Sequence, residues 1–156
     1  MKQRRHRLAI RVWHWHARTA LSPPDLRNDY KLVRIFLFAY AEDMEGAWRI
    51  AVSAEVADWY RKLKPADRRL TDKMLDKLRS MGNQLRMQHS RSLGDGLFEL
   101  RFSIQQATVD QRITYMFRPE QRIITLTAFR KTKNNERQEV ARARQAKDDY
   151  EKEDKS

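Results

Sequence analysis

The sequence predicts a small α+β domain in which a helical hairpin and a C-terminal helix pack on an antiparallel-rich sheet of about four strands. Three observations carry that prediction. Apolar residues alternate with polar ones in several short stretches, they recur at helical spacing in others, and 156 residues suffice for one core rather than two. Alternation marks a strand with one buried face, and helices must then cover that face.

In the stretch WRIAVS, Trp48, Ile50 and Val52 alternate with Arg49 and Ala51, which predicts the first strand. Ser53 is placed to cap a following helix, with Glu55 in its first turn set favourably against the helix dipole. Val56, Trp59, Tyr60 and Leu63 form one apolar stripe, and Pro65 stops it. Leu70, Met74, Leu78 and Met81 make the stripe of a second helix that ends at Gly82. After a loop containing Gly94 and Gly96, Phe98, Leu100 and Phe102 alternate with Glu99 and Arg101. Ile113, Tyr115 and Phe117 then oppose Arg112 and Thr114, and IITLTAF is apolar and β-branched enough for an interior strand. The short connection Arg118 to Gln121 predicts an antiparallel hairpin of the last two strands. From Glu136 to about Tyr150 a terminal helix places Val140, Ala143 and Tyr150 on one side. With the helices on one face of the sheet, Arg101 and Arg112 are expected to project from the uncovered face or its rim.

Three regions follow. Residues 1–43 form a basic extension with a Trp13-His14-Trp15-His16 run, a Pro23-Pro24 break and no sustained period, and Met44 fits as an alternative start. Residues 44–150 form the ordered domain, and 151–156 a charged, solvated tail. Within the extension, Trp13 and Trp15 beside Arg11 and Arg18 suit base stacking or an unstructured arm, and His14 with His16 supplies only two metal ligands.

Thirty-three Lys and Arg against 21 Asp and Glu give a net charge of +12, which favours a polyanionic partner, nucleic acid first. A membrane-surface role calls for an anchor or a lipid-facing amphipathic helix, and neither is found. The longest apolar run, Ile35 to Ala41, is far below the ~20 residues that span a bilayer. The absence of cysteine excludes disulfides, a thiolate nucleophile and cysteine-bearing zinc sites, and fits a cytoplasmic setting.

The stretch Ala128 to Asn135 concentrates Arg130, Lys131 and Lys133 where the last strand gives way to the last helix. If the partner is RNA and the task is cleavage, the 2′-hydroxyl must lose a proton, the phosphate charge must be stabilised and the 5′-oxygen must leave. Arg101, Arg112 and Arg130 suit the phosphate, while a lysine held among like charges suits proton transfer, with Lys131 and Lys133 as candidates. Carboxylates in the strand region are too few to hold a metal, and no cofactor is implied. The bland readings stand beside these. The turn also suits a solvated surface, and Arg101 and Arg112 also fit as cross-strand partners of Glu99.

The segments LGDGLFELRF, QRITYMF, IITLTAFRKT and ERQEVARARQAKDDY together resemble the RelE/ParE toxin superfamily, in its phage-derived HigB-like branch. The resemblance rests on Glu99-Leu100-Arg101, Arg112, Phe129-Arg130-Lys131 and Glu139-Val140-Ala141-Arg142-Ala143, and runs from about Trp48 to Tyr150. It implies a RelE-like domain that acts as a ribosome-associated, metal-independent mRNA endoribonuclease, restrained by a helix-turn-helix antitoxin of the HigA/Xre kind. By the same resemblance Arg112 and Arg130 match phosphate-stabilising arginines, and Lys131 and Lys133 belong to the family's basic turn. With Arg101 and Arg137 added, these are the expected RNA contacts. The usual glycine before the Phe is Ala128 here, and the proline before the last helix is replaced by Glu136. Gyrase inhibition of the ParE kind and non-catalytic nucleic-acid binding are the alternative functions.

Overall fold

The computed structural model describes residues 46–155. The expectations for Arg11, Trp13, His14, Trp15, His16 and Arg18, and for a start at Met44, lie outside the described residues. The elements are β1 (Arg49–Ala51), α1 (Ala54–Arg61), α2 (Pro65–Met81), a 3-10 turn (Gly82–Gln84), β2 (Ser90–Gly94), β3 (Leu97–Ile104), β4 (Val109–Arg118), β5 (Arg122–Arg130) and α3 (Glu136–Asp154). The strands make one sheet in the order β1-β5-β4-β3-β2. β1 runs parallel to β5, and the other three pairs are antiparallel.

The sheet therefore has five strands where about four are expected from the sequence, and it is mixed. The additional strand is β2, in a stretch read as loop. Its cause is local: Asp95 and Gly96, both at positive φ, form the two-residue connection that turns the chain straight back into β3. The helical hairpin forms where the sequence expects it, but the stripe expected of α2 is only half inward. Leu78 is buried and Met74 packs on the core, whereas Leu70 and Met81 are 43% and 39% exposed, because Asp67 and Thr71 take the inward positions. Ser53 Oγ accepts from Val56 N at 3.3 Å and donates to Leu126 O at 2.8 Å, so one hydroxyl caps α1 and ties it to β5. Pro65, expected to end α1, instead opens α2, where a missing N–H costs nothing. Gly82 is needed twice over: it has φ +52°, and a Cβ there would lie 1.9 Å from the Trp48 indole nitrogen.

The hairpin α1–α2 seals the first face of the sheet. Val56 and Leu78 meet Leu100, Ile113, Tyr115 and Ile123, all buried, with Trp48, Phe98 and Phe117 packed around them. Phe117 sits at the centre of an aromatic group, 4.9 Å from Trp48, 5.1 Å from Phe98 and 5.5 Å from Tyr115 between ring centroids. Such pairs contribute ~0.5–1.5 kcal/mol each beyond their buried area. Tyr115 is fully buried because its hydroxyl has a partner, Ser90 Oγ at 2.5 Å.

The second face is not bare, which corrects the expectation that all helices lie on one side. Leu97, Met116, Ile124 and Leu126 are covered by Ala143 of α3, with Ala146 and Tyr150 packed beside them. Val140, expected on the same side, is only half-buried and lines a groove along α3 instead of joining this cluster. The helix also runs four residues past Tyr150, and Arg118 donates to Asp154 at 2.6 Å, so most of the expected tail is helix pinned to β4. At the outer edge of β5, beyond the three residues paired with β1, Ala128 N donates to Glu55 Oε1 at 3.0 Å. The other oxygen of Glu55 accepts from Arg142 of α3 at 2.6 Å.

Candidate functional site: a carboxylate-anchored arginine cluster

Where the apolar half of the second face ends, charge begins. From Leu97 onward, alternation brings Glu99 and then Arg101 of β3 to this face, and the register sets Arg101 directly opposite Arg112 of β4 and Arg91 of β2 opposite Glu99. Glu99 is buried, at 2% exposure, and its Oε1 lies 3.6 Å from Arg101 Nε, 3.8 Å from Arg112 Nε and 4.0 Å from Arg91 Nη1. A carboxylate this deep is tolerated only when paired. Three guanidinium groups around one carboxylate leave the cluster positive.

Arg112 lies deepest among the three, at 5% exposure, and its Nη1 donates to Gln111 O at 2.9 Å. Burial holds its pKa below the ordinary arginine value; Glu99 opposes that effect, while neighbouring Arg101 adds to it. The buried Nε atoms of Arg101 and Arg112 have no hydrogen-bond partner, since Glu99 stands just beyond bonding length from both. The expectation that Arg112 projects to solvent is therefore corrected: it is buried on the central strand between β3 and β5, and Arg101 is the more open of the pair.

The basic turn reaches this cluster through one residue. Asn135 shapes the turn, accepting from Thr132 N at 2.9 Å and donating to Arg130 O at 2.8 Å. That side-chain clasp comes one residue before Glu136, the position where the resemblance leads one to expect a proline. Lys131 N donates to Asp110 O at 2.8 Å, and Lys131 Nζ lies 3.5 Å from Glu136 Oε2. Glu136 Oε1 in turn accepts from Arg91 Nη1 at 3.0 Å, so Arg91 touches both carboxylates. Partial burial pushes the Glu136 pKa up, but Lys131 and Arg91 outweigh it and hold the group below the usual carboxylate range.

Of the residues expected to act together, Arg101 and Arg112 meet on Glu99, and Lys131 joins their side through Glu136 and Arg91. Arg130 does not join them. Phe129 pairs with Arg112 and is buried, so alternation turns Arg130 to the other face, opposite Gln111, where it is exposed. Lys133 and Arg137 are exposed and line an open groove along α3 with Asn134, Glu136, Val140 and Arg144. Sequence reasoning passed over Arg91 and Glu136. The Asp95-Gly96 turn was the available signal for Arg91, because it folds β2 onto β3 and so sets Arg91 against Glu99.

Among the described residues, no group of three or more His, Cys, Asp or Glu side chains is placed to hold a metal ion. Among them, too, no helix is long and apolar enough to cross a membrane.

The fold and site together define a small α+β domain with a permanently charged, carboxylate-braced patch at one end of its sheet. The family model described as phage derived protein Gp49-like (DUF891) matches residues 58–148, more than half of the chain. The chain belongs to that family. No curated protein and no solved structure matches it.

Proposed function

We propose that this Gp49-like protein is the toxin of a type II toxin–antitoxin pair, a ribosome-dependent mRNA endoribonuclease of the RelE/HigB kind held inactive by a helix-turn-helix antitoxin. The single observation that carries the reading is the pairing of Arg101 with Arg112 across β3 and β4, braced by buried Glu99 at the edge of a basic surface. A phosphodiester needs what this arrangement offers, namely fixed cations whose geometry is set before the ligand arrives. Membership of a phage-derived family with toxin-like character is the second support.

In the proposed reaction the 2′-oxygen bonds to phosphorus as its proton leaves, the P–O5′ bond breaks, and the 5′-oxygen takes up a proton. Products are a 2′,3′-cyclic phosphate and a 5′-hydroxyl. Arg101 contacts the phosphate oxygens, and Arg112 adds its charge from beneath. Lys131 or Lys133 moves the proton, with the ribosome completing the site. Lys133 and Arg137 hold the RNA strand along the groove beside α3, and Arg130, turned to the other face of β5, takes no part at this site. No metal or cofactor enters, and the site of action is the cytoplasm.

The test is expression from a tightly repressed promoter with mapping of RNA ends. Growth arrest with codon-phased cuts, abolished by Arg101→Ala in a protein of unchanged fold, is the expected result. Intact mRNA with gyrase-dependent DNA damage overturns it in favour of a ParE-like poison. Salt-steep RNA binding without cleavage on translating ribosomes overturns it in favour of a non-catalytic binding domain.

A further inference from the structure

The two carboxylates of the site differ in one respect. Glu99 is sealed at 2% side-chain exposure and serves as a fixed brace. Glu136 is 37% exposed, sits on the first turn of α3, and lies between Arg91, itself 43% exposed, and Lys131 at 29%. It also lines the groove that Lys133, Arg137 and Arg144 make basic. Glu136 therefore belongs both to the groove and, through Arg91, to the Glu99 cluster that holds Arg101. Two solvent-reachable cations flanking a single anion make a seat for an anion, and the chain supplies its own occupant.

We infer that Arg91 and Lys131 form a second phosphodiester seat beside the Glu99 cluster, filled by the Glu136 carboxylate until a nucleic-acid phosphate displaces it. The class of ligand rests on the RNA reading above; the seat itself rests on the contacts. Arg91 links the two positions, since its Nη1 lies 4.0 Å from Glu99 Oε1 and 3.0 Å from Glu136 Oε1. The adjacent seats hold successive phosphates of one strand, the first at Arg101 and the second at Arg91 and Lys131. Glu136 is thus an affinity-setting residue: it keeps the seat shut to stray anions and lowers affinity for any RNA that cannot also engage Arg101.

The experiment measures binding of a ten-nucleotide RNA, 2′-O-methylated throughout so that it cannot be cut, by fluorescence anisotropy across a salt series. Glu136→Gln is expected to bind about 5–10-fold tighter than the unaltered chain at low salt, because a competing charge is gone. Its plot of log affinity against log salt should steepen by about 0.7, the increment for one more phosphate on a single strand. Adding Arg91→Ala should remove the gain. Glu139→Gln, which neutralises another carboxylate of the same helix turn, serves as the control for overall charge and should change affinity by less than about 2-fold. The inference is overturned if Glu136→Gln, with its circular dichroism spectrum intact, binds no more tightly than the unaltered chain, or if Glu139→Gln gains as much. Loss of this gain in a protein that still cuts mRNA removes the seat and leaves the nuclease reading. The gain without cleavage on ribosomes keeps the seat and removes the nuclease.

Discussion

One sheet carries two faces made from alternate residues of the same strands, and they obey different rules. Toward α1 and α2, Leu100, Ile113, Tyr115 and Phe117 close an apolar interior in which the one buried hydroxyl of that group is satisfied by Ser90. Toward α3, the neighbours of those residues begin as Leu97 and Met116 and change within a few positions to Glu99, Arg101 and Arg112. The first face gains free energy by excluding water from carbon. The second gives some of it up, burying a carboxylate and a guanidinium whose attraction roughly offsets their desolvation. The contrast teaches that β3 and β4 are paid for by one face so that the other can hold fixed charge.

The comparison breaks most completely at Glu99. Glu99→Ala leaves Arg112 buried without its brace and should cost about 3–5 kcal/mol in urea unfolding. Replacing both residues, Glu99→Met with Arg112→Met, should recover most of that loss, because an apolar pair in a buried site needs no partner. A double variant as unstable as Glu99→Ala contradicts the view that this region is held together by charge.

Leu100→Ala tests the opposite face and should cost about 2–5 kcal/mol by opening a cavity under α2. Per folded molecule, its RNA binding should stay as it was. Arg101→Ala should do the reverse. It shifts unfolding by less than about 1 kcal/mol, since a partly open ion pair contributes little, yet it should abolish growth arrest in the expression assay.

The smallest effect concerns acid. The Glu136 pKa is depressed in the folded chain, so its contribution to stability is present above the usual carboxylate range and is lost as pH falls through its folded value. At this exposed position it is worth a few tenths of a kcal/mol. Thermal melts of the unaltered chain and Glu136→Gln should differ slightly at neutral pH and converge in acid; a difference that grows on acidification contradicts the assignment.

Much of the sealed face was legible, because alternation and helical stripes report burial directly. Trp48, Ile50, Val56, Leu78, Leu100, Ile113 and Tyr115 all turn inward as their spacing predicts. β2 was harder to read, since Ser90, Arg91, Ser92, Leu93 and Gly94 carry no apolar alternation and become a strand through a turn and a neighbour. The charged face was legible in half. Opposite placement of Arg101 and Arg112 follows from the register of two strands joined by a short loop. The contact of Arg91 with Glu136 joins residues that only the packing of α3 brings together. Arg130 fell away because Phe129, next to it, claims the buried position, and a strand cannot point both residues the same way.

Glu55 holds one last consequence. Its carboxylate answers the Ala128 amide that β5 would otherwise offer to solvent, and seats Arg142 with its second oxygen. An unpaired amide row is an invitation to strand exchange between molecules. By occupying that amide from within the chain, a single acidic side chain removes one donor from the stretch of β5 that, among the described residues, runs on beyond its pairing with β1.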